Sequence, residues 1–155
     1  MPNISDLIEA YLKKMLEQSP KGYIEIQRNE LAGEFNCVPS QINYVLSTRF
    51  TVNHGFVIES RRGGGGYVRI SKVPLESGCD WLEELYRLMG NSVTQSVATG
   101  ILQRLLSEEK ITKREFKIMK AAVDRSVLKI ELPWRDKLRA QILKAMITAV
   151  AGEKK

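Results

Sequence analysis

Two stretches decide the fold of this chain: residues 29–51, NELAGEFNCVPSQINYVLSTRFT, and residues 56–71, FVIESRRGGGGYVRIS. The first stretch predicts two helices, over residues 28–35 and 39–50, joined by a tight turn. Asn36 stands where such a turn needs a positive φ, which asparagine tolerates. Pro39 suits the first position of the second helix, because its missing N–H is not needed there. This layout is typical of a helix-turn-helix.

The second of these helices has one apolar and one polar face. Ile42, Val45 and Leu46 fall on the apolar face and are expected to be buried. The outer face carries Ser40, Gln41, Asn43, Tyr44, Ser47, Thr48 and Arg49. Amide side chains can pair with adenine, and arginine can pair with guanine or a phosphate, so this face suits a major groove. A solvated helix face would have the same composition, so the helix alone leaves both interpretations open.

A glycine-rich hairpin follows the two helices. The β-rich runs at residues 56–60 and 67–71 predict two strands, which would make the motif a winged helix-turn-helix. Four glycines exceed what a tight hairpin turn needs, and they predict a thin tip that fits a groove. The tip consists of Arg61, Arg62, Gly63, Gly64, Gly65 and Gly66. Its arginines suit a narrow minor groove, and the entropy of ordering the tip predicts that heat weakens binding. A flexible loop with two solvated charges is the alternative.

The first residues predict an amphipathic helix with apolar positions from Ile4 to Leu16, rather than a signal peptide. Asn3 is the expected cap, with Asp6 near the positive end of the helix dipole, and Gly22 is the expected stop. Residues 23–26, YIEI, alternate as a short strand does.

Residues 74–155 contain helical patterns only. The predicted helices cover residues 80–89, 92–107, 112–128 and 133–151, and short connections would fold them into a bundle. The first three starts are indicated by capping boxes, at Asp80 and Glu83, Ser92 and Gln95, and Thr112 and Glu115. Gly90 is expected to end the first helix. The last helix is expected to bury Leu138, Ile142, Ala145, Met146 and Ala149.

The two patterns divide the chain into a winged helix-turn-helix over residues 1–73 and a helical domain over residues 74–155. The predicted fold class is therefore mainly α with a small β-wing. About 75 residues build only a marginal core. This favours a second copy as partner and a dimerisation role for residues 74–155, with a monomeric helical cap as the alternative.

Composition narrows the function further. The chain carries 24 Lys and Arg against 18 Asp and Glu, a net charge of +6 that favours a polyanionic partner. No apolar run reaches the roughly 20 residues of a membrane span, so we expect a cytoplasmic protein without a membrane partner. Cys37, Cys79 and the single His54 are too few for a metal site, and we expect reduced thiols. Because the sequence contains no recognisable catalytic motif, we expect neither a cofactor nor enzymatic activity.

Residues 29–51, together with residues 53–70, NHGFVIESRRGGGGYVRI, resemble the CtsR family, the class III heat-shock repressors of Gram-positive bacteria. The likeness continues through GCDWLEELY at residues 78–86 and through the C-terminal helices, so it covers essentially the whole chain. The tetraglycine tip after two arginines is its most specific part. The resemblance implies a dimer that represses clp protease and chaperone operons at tandem heptanucleotide repeats.

The resemblance also implies how such a repressor is controlled. The glycine-rich wing acts as a temperature sensor, and a protein arginine kinase of the McsB type inactivates the repressor, which the Clp protease then degrades. Arg62 matches the arginine whose phosphorylation releases DNA, and Arg28 and Arg49 match DNA contacts. From the exposed helix face, Ser40, Gln41 and Tyr44 are further candidates for DNA contact. A winged-helix module that binds RNA or protein is the alternative function for the same fold.

Overall fold

The structure, a computed structural model, describes residues 3–60, 67–75 and 80–151. The chain separates into two compact units, residues 1–73 and 74–155, and each has its own hydrophobic core. The described residues are mostly helical, with a small antiparallel sheet in the first unit. This confirms the predicted fold class. In the described part of the chain, no helix is both long and apolar enough to cross a membrane.

Helix α1, Ile4–Gln18, begins at the predicted cap. The Asn3 side chain accepts a hydrogen bond from the Asp6 N–H at 2.9 Å, and the Asp6 carboxylate accepts one from the Asn3 N–H at 3.1 Å. This reciprocal pair satisfies two N–H groups at the helix start. The helix ends before the predicted stop, with Ser19 as its C-cap. Gly22, with a φ of +77°, lies in the turn that leads to the first strand.

The predicted pair of helices is present as α2, Arg28–Glu34, and α3, Pro39–Arg49. Asn36 adopts a φ of +52° in the turn between them, as predicted. The Cys37 N–H closes the same turn by donating to the Ala32 carbonyl oxygen at 2.9 Å. Each helix ends within one residue of its predicted bound.

Three strands form one antiparallel sheet: β1, Tyr23–Gln27, β2, Phe56–Ser60, and β3, Tyr67–Lys72. Their order is β1-β3-β2, so β3 is central, and its Val68 and Ile70 are fully buried. The β2–β3 hairpin matches the prediction. The pairing of β1 with β3 was not predicted, because nothing in a five-residue alternating run identifies its partner.

The core of the first unit lies between its helices and one face of the sheet. The Phe50 and Phe56 rings pack edge to face with centroids 4.8 Å apart, which joins the end of α3 to the start of β2. Leu7 lies on the predicted apolar face of α1 but is exposed. The buried apolar residues are Ile8, Leu12, Leu16, Ile24, Ile26, Leu31, Ala32, Ile42, Val45, Leu46, Phe50, Phe56, Val68 and Ile70.

The second unit consists of helices α4, Asp80–Met89, α5, Gln95–Ser107, α6, Lys113–Ala122, and α7, Trp134–Ala151. The bounds of α4 agree with the prediction, and Gly90, with a φ of +60°, follows its last residue. The side chain of Asp80 and the residues before it lie outside the described part of the chain.

The prediction for the start of α5 was wrong. Thr94, not Ser92, caps the helix, because the Thr94 hydroxyl accepts a hydrogen bond from the Val97 N–H at 3.2 Å. Ser92 and Gln95 have the residue types of a capping box. Thr94 has the same capping ability and lies directly before the first helical residue.

The prediction for α6 was right at its start and wrong at its end. Thr112 and Glu115 form the expected capping box. The helix stops at Ala122, because Asp124 forms a turn in which its carboxylate accepts a hydrogen bond from the Ser126 N–H at 2.9 Å. Aspartate side chains offer the backbone this alternative to a helix.

The predicted buried face of α7 was also wrong. Helix α7 buries Arg139, Ala140, Leu143 and Ile147. Of the five residues predicted to be buried, Ala145 and Ala149 are exposed. The other three, Leu138, Ile142 and Met146, are half-buried. Because apolar residues lie on both sides of this helix, their periodicity does not select one face.

Arg139 is a buried cation, 1% exposed, that joins three parts of the second unit. Its Nε donates to the Val123 carbonyl oxygen at 2.8 Å, directly after α6. Its Nη1 donates to the Val93 carbonyl oxygen at 3.0 Å and to the Asp136 carboxylate at 2.5 Å. The Val93 N–H in turn donates to the Asp136 carbonyl oxygen at 3.0 Å. The guanidinium therefore fixes both connecting segments against α7.

We expect Arg139→Ala to lower the free energy of unfolding of the second unit by on the order of 3 kcal/mol. The substitution leaves two carbonyl oxygens and one carboxylate without their donor. Urea unfolding monitored by circular dichroism measures the loss. Arg114→Ala is the matched control, because Arg114 is an exposed arginine on α6. Equal stability of the two variants would contradict the joining role of Arg139.

Candidate nucleic-acid interface

The outer face of α3 is exposed and carries no charged group at its centre. Tyr44 is 54% exposed, and Ser40 and Ser47 lie beside it on the same face. The hydroxyls of Ser47 and Thr48 both donate to the Tyr44 carbonyl oxygen, at 3.1 and 2.7 Å. Their oxygens retain acceptor capacity, so this face offers acceptors and an aromatic ring to a partner.

Arg28, the first residue of α2, connects α3 to the hairpin. Its Nε donates to Asn43 Oδ1 at 2.6 Å, and its Nη2 donates to Ser60 Oγ at 3.0 Å. Ser60 is the last residue of β2, immediately before the arginine- and glycine-rich tip. One guanidinium thus links α3 to the base of the hairpin and sets their relative position.

The contact with Arg28 changes what Asn43 can offer to DNA. A bidentate contact with adenine uses both the oxygen and the nitrogen of the amide. Asn43 Oδ1 already accepts a short hydrogen bond, so one lone pair remains there, while both amide protons are available. Asn43 is therefore suited mainly to donate towards acceptors on a base edge.

Gln41 is half-buried and less accessible than the sequence suggested. Its Nε2 donates to the hydroxyl of the buried Ser5 at 2.7 Å, which ties the first turn of α3 to the first turn of α1. The amide is thereby used partly for holding two helices together. The contact between Gln41 and DNA stays a prediction.

Arg49, the last residue of α3, is 27% exposed and contacts α1. Its Nη1 donates to Asp6 Oδ1 at 3.0 Å and also to Glu9 Oε1. The hydrogen bond from the Asn3 N–H and that from Arg49 lower the pKa of Asp6. Burial alone would raise the pKa of Glu9, but hydrogen bonds from Lys13 and Arg49 outweigh it and lower that pKa. The Glu9 hydrogen bond raises the pKa of Arg49, so Asp6, Glu9 and Arg49 remain charged at neutral pH.

The predicted wing tip, Arg61, Arg62, Gly63, Gly64, Gly65 and Gly66, lies outside the described residues. The strands on either side are described, and Ser60 pairs with Val68 across the hairpin. This pairing brings the end of β2 and the start of β3 together. Arg28 contacts both Ser60 and Asn43, so the end of β2 adjoins the polar face of α3.

The described residues contain no group of three or more His, Cys, Asp or Glu side chains that could hold a metal ion. Cys37 is a half-buried free thiol in the turn between α2 and α3. Cys79 lies outside the described residues. His54 Nδ1 shares a hydrogen bond with the Thr51 hydroxyl at 2.7 Å.

The sequence does not indicate the part of this surface that α1 and β2 supply. It predicts only a capping role for Asp6 and no role for Glu9 or Ser60. Their partners lie between 32 and 43 positions away in the chain, at Arg28 and Arg49. No local pattern indicates contacts of that range.

Both units match known protein domains. Residues 3–74 match the CtsR N-terminal HTH domain, and residues 77–148 match the CtsR C-terminal dimerization domain. A solved structure, described as the crystal structure of CtsR in complex with a 26bp DNA duplex, is also similar. It has a TM-score of 0.86 and 50% sequence identity, and the match covers 97% of this chain and 100% of that chain.

Several relatives named transcriptional regulator CtsR are similar along nearly the whole chain. The relative from Geobacillus stearothermophilus is 51% identical over 150 residues, which cover 97% of this chain and 98% of the relative. The relative from Bacillus subtilis (strain 168) is 47% identical over 148 residues, 96% of each chain. That from Staphylococcus aureus (strain USA300) is 44% identical over 150 residues, 97% of this chain and 98% of the relative. These names describe regulators, in agreement with the non-enzymatic interpretation. With both domains matched and such identity over both units, the chain belongs to the CtsR family of transcriptional regulators.

Proposed function

We propose that this chain is a sequence-specific DNA-binding repressor of transcription that acts as a homodimer. The observation that carries the proposal is the exposed polar face of α3, which Arg28 holds beside the base of the hairpin. A helix of this kind enters the major groove in helix-turn-helix proteins, and an adjacent hairpin can reach the minor groove. The similar solved structure, described as a complex with a DNA duplex, supports this function.

In this proposal residues 1–73 bind DNA and residues 74–155 form the dimer. On the exposed face of α3, Ser40, Tyr44 and part of Gln41 read bases. Arg28 and Arg49, at the two sides of this face, contact the DNA backbone. Two linked copies gain affinity on a doubled site, because the second head binds at a high effective concentration. The resemblance supports tandem heptanucleotide repeats as the operator.

We expect the protein to shift a duplex carrying a tandem heptanucleotide repeat in a gel, with an affinity that falls steeply as salt rises. Tyr44→Ala should weaken this binding about fivefold to tenfold. It should weaken binding to unrelated DNA less, because contacts with bases distinguish one DNA sequence from another and contacts with phosphates do not. Gln18→Ala, an exposed change at the C-terminal end of α1, is the control. Preference for an RNA hairpin over the duplex, or no shift at all, would favour the alternative function of a winged-helix module.

We further propose that the wing controls the repressor. Its two arginines, Arg61 and Arg62, enter the minor groove, and the four glycines allow the close approach. Binding orders the tip, and the entropic cost of ordering grows with temperature, which makes Gly63, Gly64, Gly65 and Gly66 the temperature-sensitive part. On heating, the repressor would then release the clp protease and chaperone operons in the cytoplasm.

Phosphorylation of Arg62 by a protein arginine kinase of the McsB type is the proposed second control, followed by degradation by the Clp protease. A phosphate on the guanidinium adds negative charge and removes donors, so the modified side chain repels the DNA backbone. Arg104 and Arg139 are 3% and 1% exposed, so folding protects these two arginines from such an enzyme.

Arg62→Ala should weaken operator binding while leaving dimerisation and the melting temperature unchanged. Its slope of log affinity against log salt should fall by about one, because one phosphate contact is lost. Gel shifts at several salt concentrations measure both effects. Arg87→Ala, an exposed arginine of α4, serves as the control. Wild-type affinity of the Arg62 variant would exclude the wing from the DNA interface.

The proposed dimer uses an apolar segment of the second unit. Four large apolar side chains are exposed between α6 and the start of α7: Val127, Ile130, Leu132 and Trp134. Trp134, the largest of the four, is 62% exposed. Exposed apolar side chains grouped in this way are typical of an interaction surface, and the match to a dimerization domain supports a second copy as the partner.

Trp134→Glu should therefore shift the protein from dimer to monomer in analytical ultracentrifugation. Glutamate is favourable at the first position of a helix, so the variant retains α7. It should also lose affinity for the doubled operator by weakening avidity. For the oligomeric state the control is Leu7→Glu, which places the same charge on an exposed apolar position of α1. A Trp134 variant that remains dimeric would place the interface elsewhere.

A further inference from the structure

Arg49 belongs to a network of four charged side chains that links α1 to the end of α3. Each of the four carboxylate oxygens in it accepts a hydrogen bond. Asp6 accepts from the Asn3 N–H at Oδ2 and from Arg49 at Oδ1, 3.0 Å away. Glu9 accepts from Lys13 at Oε2, 2.7 Å away, and from Arg49 at Oε1. The Asn3 cap and the Lys13 ammonium therefore hold the two carboxylates that hold the arginine.

Both carboxylates contact the same nitrogen of Arg49. Nη1 makes the two hydrogen bonds, while Nε and Nη2 have no hydrogen-bond partner among the described residues. A guanidinium presents Nε and Nη2 along one edge, and that edge matches two oxygens of a phosphate. The side chain is 27% exposed, so it is partly open to solvent.

We propose that Asp6 and Glu9 are positioning residues that hold Arg49 so that its Nε and Nη2 edge faces a phosphate of the DNA backbone. This inference rests on the proposed function in DNA binding. An arginine that is ordered before binding avoids the entropic cost of fixing a long side chain in the complex. The carboxylates act through Arg49 and need not touch DNA.

Net charge alone predicts the opposite effect of removing a carboxylate on the affinity for DNA. The network has two positive and two negative groups and so no net charge. Removing Glu9 leaves a net positive charge next to a polyanion, and long-range attraction would then tighten DNA binding. Positioning of Arg49 requires that the same change weaken it.

The experiment compares Glu9→Ala with Glu17→Ala in gel shifts on the tandem-repeat duplex. Both changes remove one carboxylate from α1, but Glu17 is exposed and lies outside the network. We expect Glu17→Ala to bind as wild type or slightly more tightly. Glu9→Ala should bind about threefold to tenfold more weakly, the range expected for ordering one long side chain. Glu9→Gln, which keeps an oxygen acceptor for Arg49, should recover part of the loss.

A second set of variants tests whether the effect passes through Arg49. In an Arg49→Ala background, Glu9→Ala should cause no further weakening, because there is no guanidinium left to position. Arg49→Lys should not restore wild-type affinity, since an ammonium cannot contact the carboxylates and a phosphate through separate edges. Equal weakening by Glu9→Ala with and without Arg49 would overturn the inference.

Two measurements separate the possible failures. Wild-type protein that does not bind the duplex refutes the proposed function itself. Wild-type binding together with a Glu9 variant that binds equally or more tightly refutes the positioning role alone. Thermal unfolding of each variant keeps stability apart from affinity, and binding is compared well below the lowest melting temperature. Weakening that persists there, with an unchanged fold by circular dichroism, supports positioning.

Discussion

The burial of one side of α3 is the constraint on which the first unit depends. Ile42 and Val45 have no exposed surface, and Phe50 closes the end of the helix against Phe56 of β2. A helix fixed in this way cannot rotate without exposing apolar area, at about 25 cal/mol for each Å². Its opposite face therefore points outward in a single orientation.

Polar contacts refine the position that the core sets. Ser5 and Glu9 hold α3 from the side of α1, while Arg28 holds it from α2 and extends to β2. These contacts are partly exposed and contribute little stability individually. Their effect is geometric, because each long side chain at the edge of the exposed face is restricted to one direction.

The sequence predicted what depends on neighbouring residues. The cap at Asn3, the turn at Asn36 and the start of α3 at Pro39 all follow from local chemistry, and the structure contains each of them. The second unit is less predictable from the sequence. Ser92 and Thr94 have the same ability to cap α5, and α7 is apolar on both sides. Arg139 illustrates the limit: its burial depends on carbonyl oxygens at Val93 and Val123, which lie 46 and 16 positions away.

The same limit applies to the interface. Periodicity identified the outer face of α3, but it could not indicate that Gln41, Asn43 and Arg49 would each be engaged by another helix. These residues have the types that read DNA, and the same types also make good contacts within a protein. Only the long-range pairing decides how much of each side chain remains for a partner.

The distribution of charge is consistent with the proposed control of this surface through its arginines. The exposed centre of α3 is uncharged, with Ser40, Tyr44 and Ser47, so it can discriminate between bases but cannot supply the attraction to phosphates. In residues 1–72 nine basic groups face seven acidic ones, a surplus of only two. In the proposed function, attraction to DNA then depends on a few arginines at the edges of the face. In the proposed control, phosphorylation would turn one of these cations into an anion and would remove its share of the affinity at once. A more basic surface would bind more tightly but would be less sensitive to such a switch.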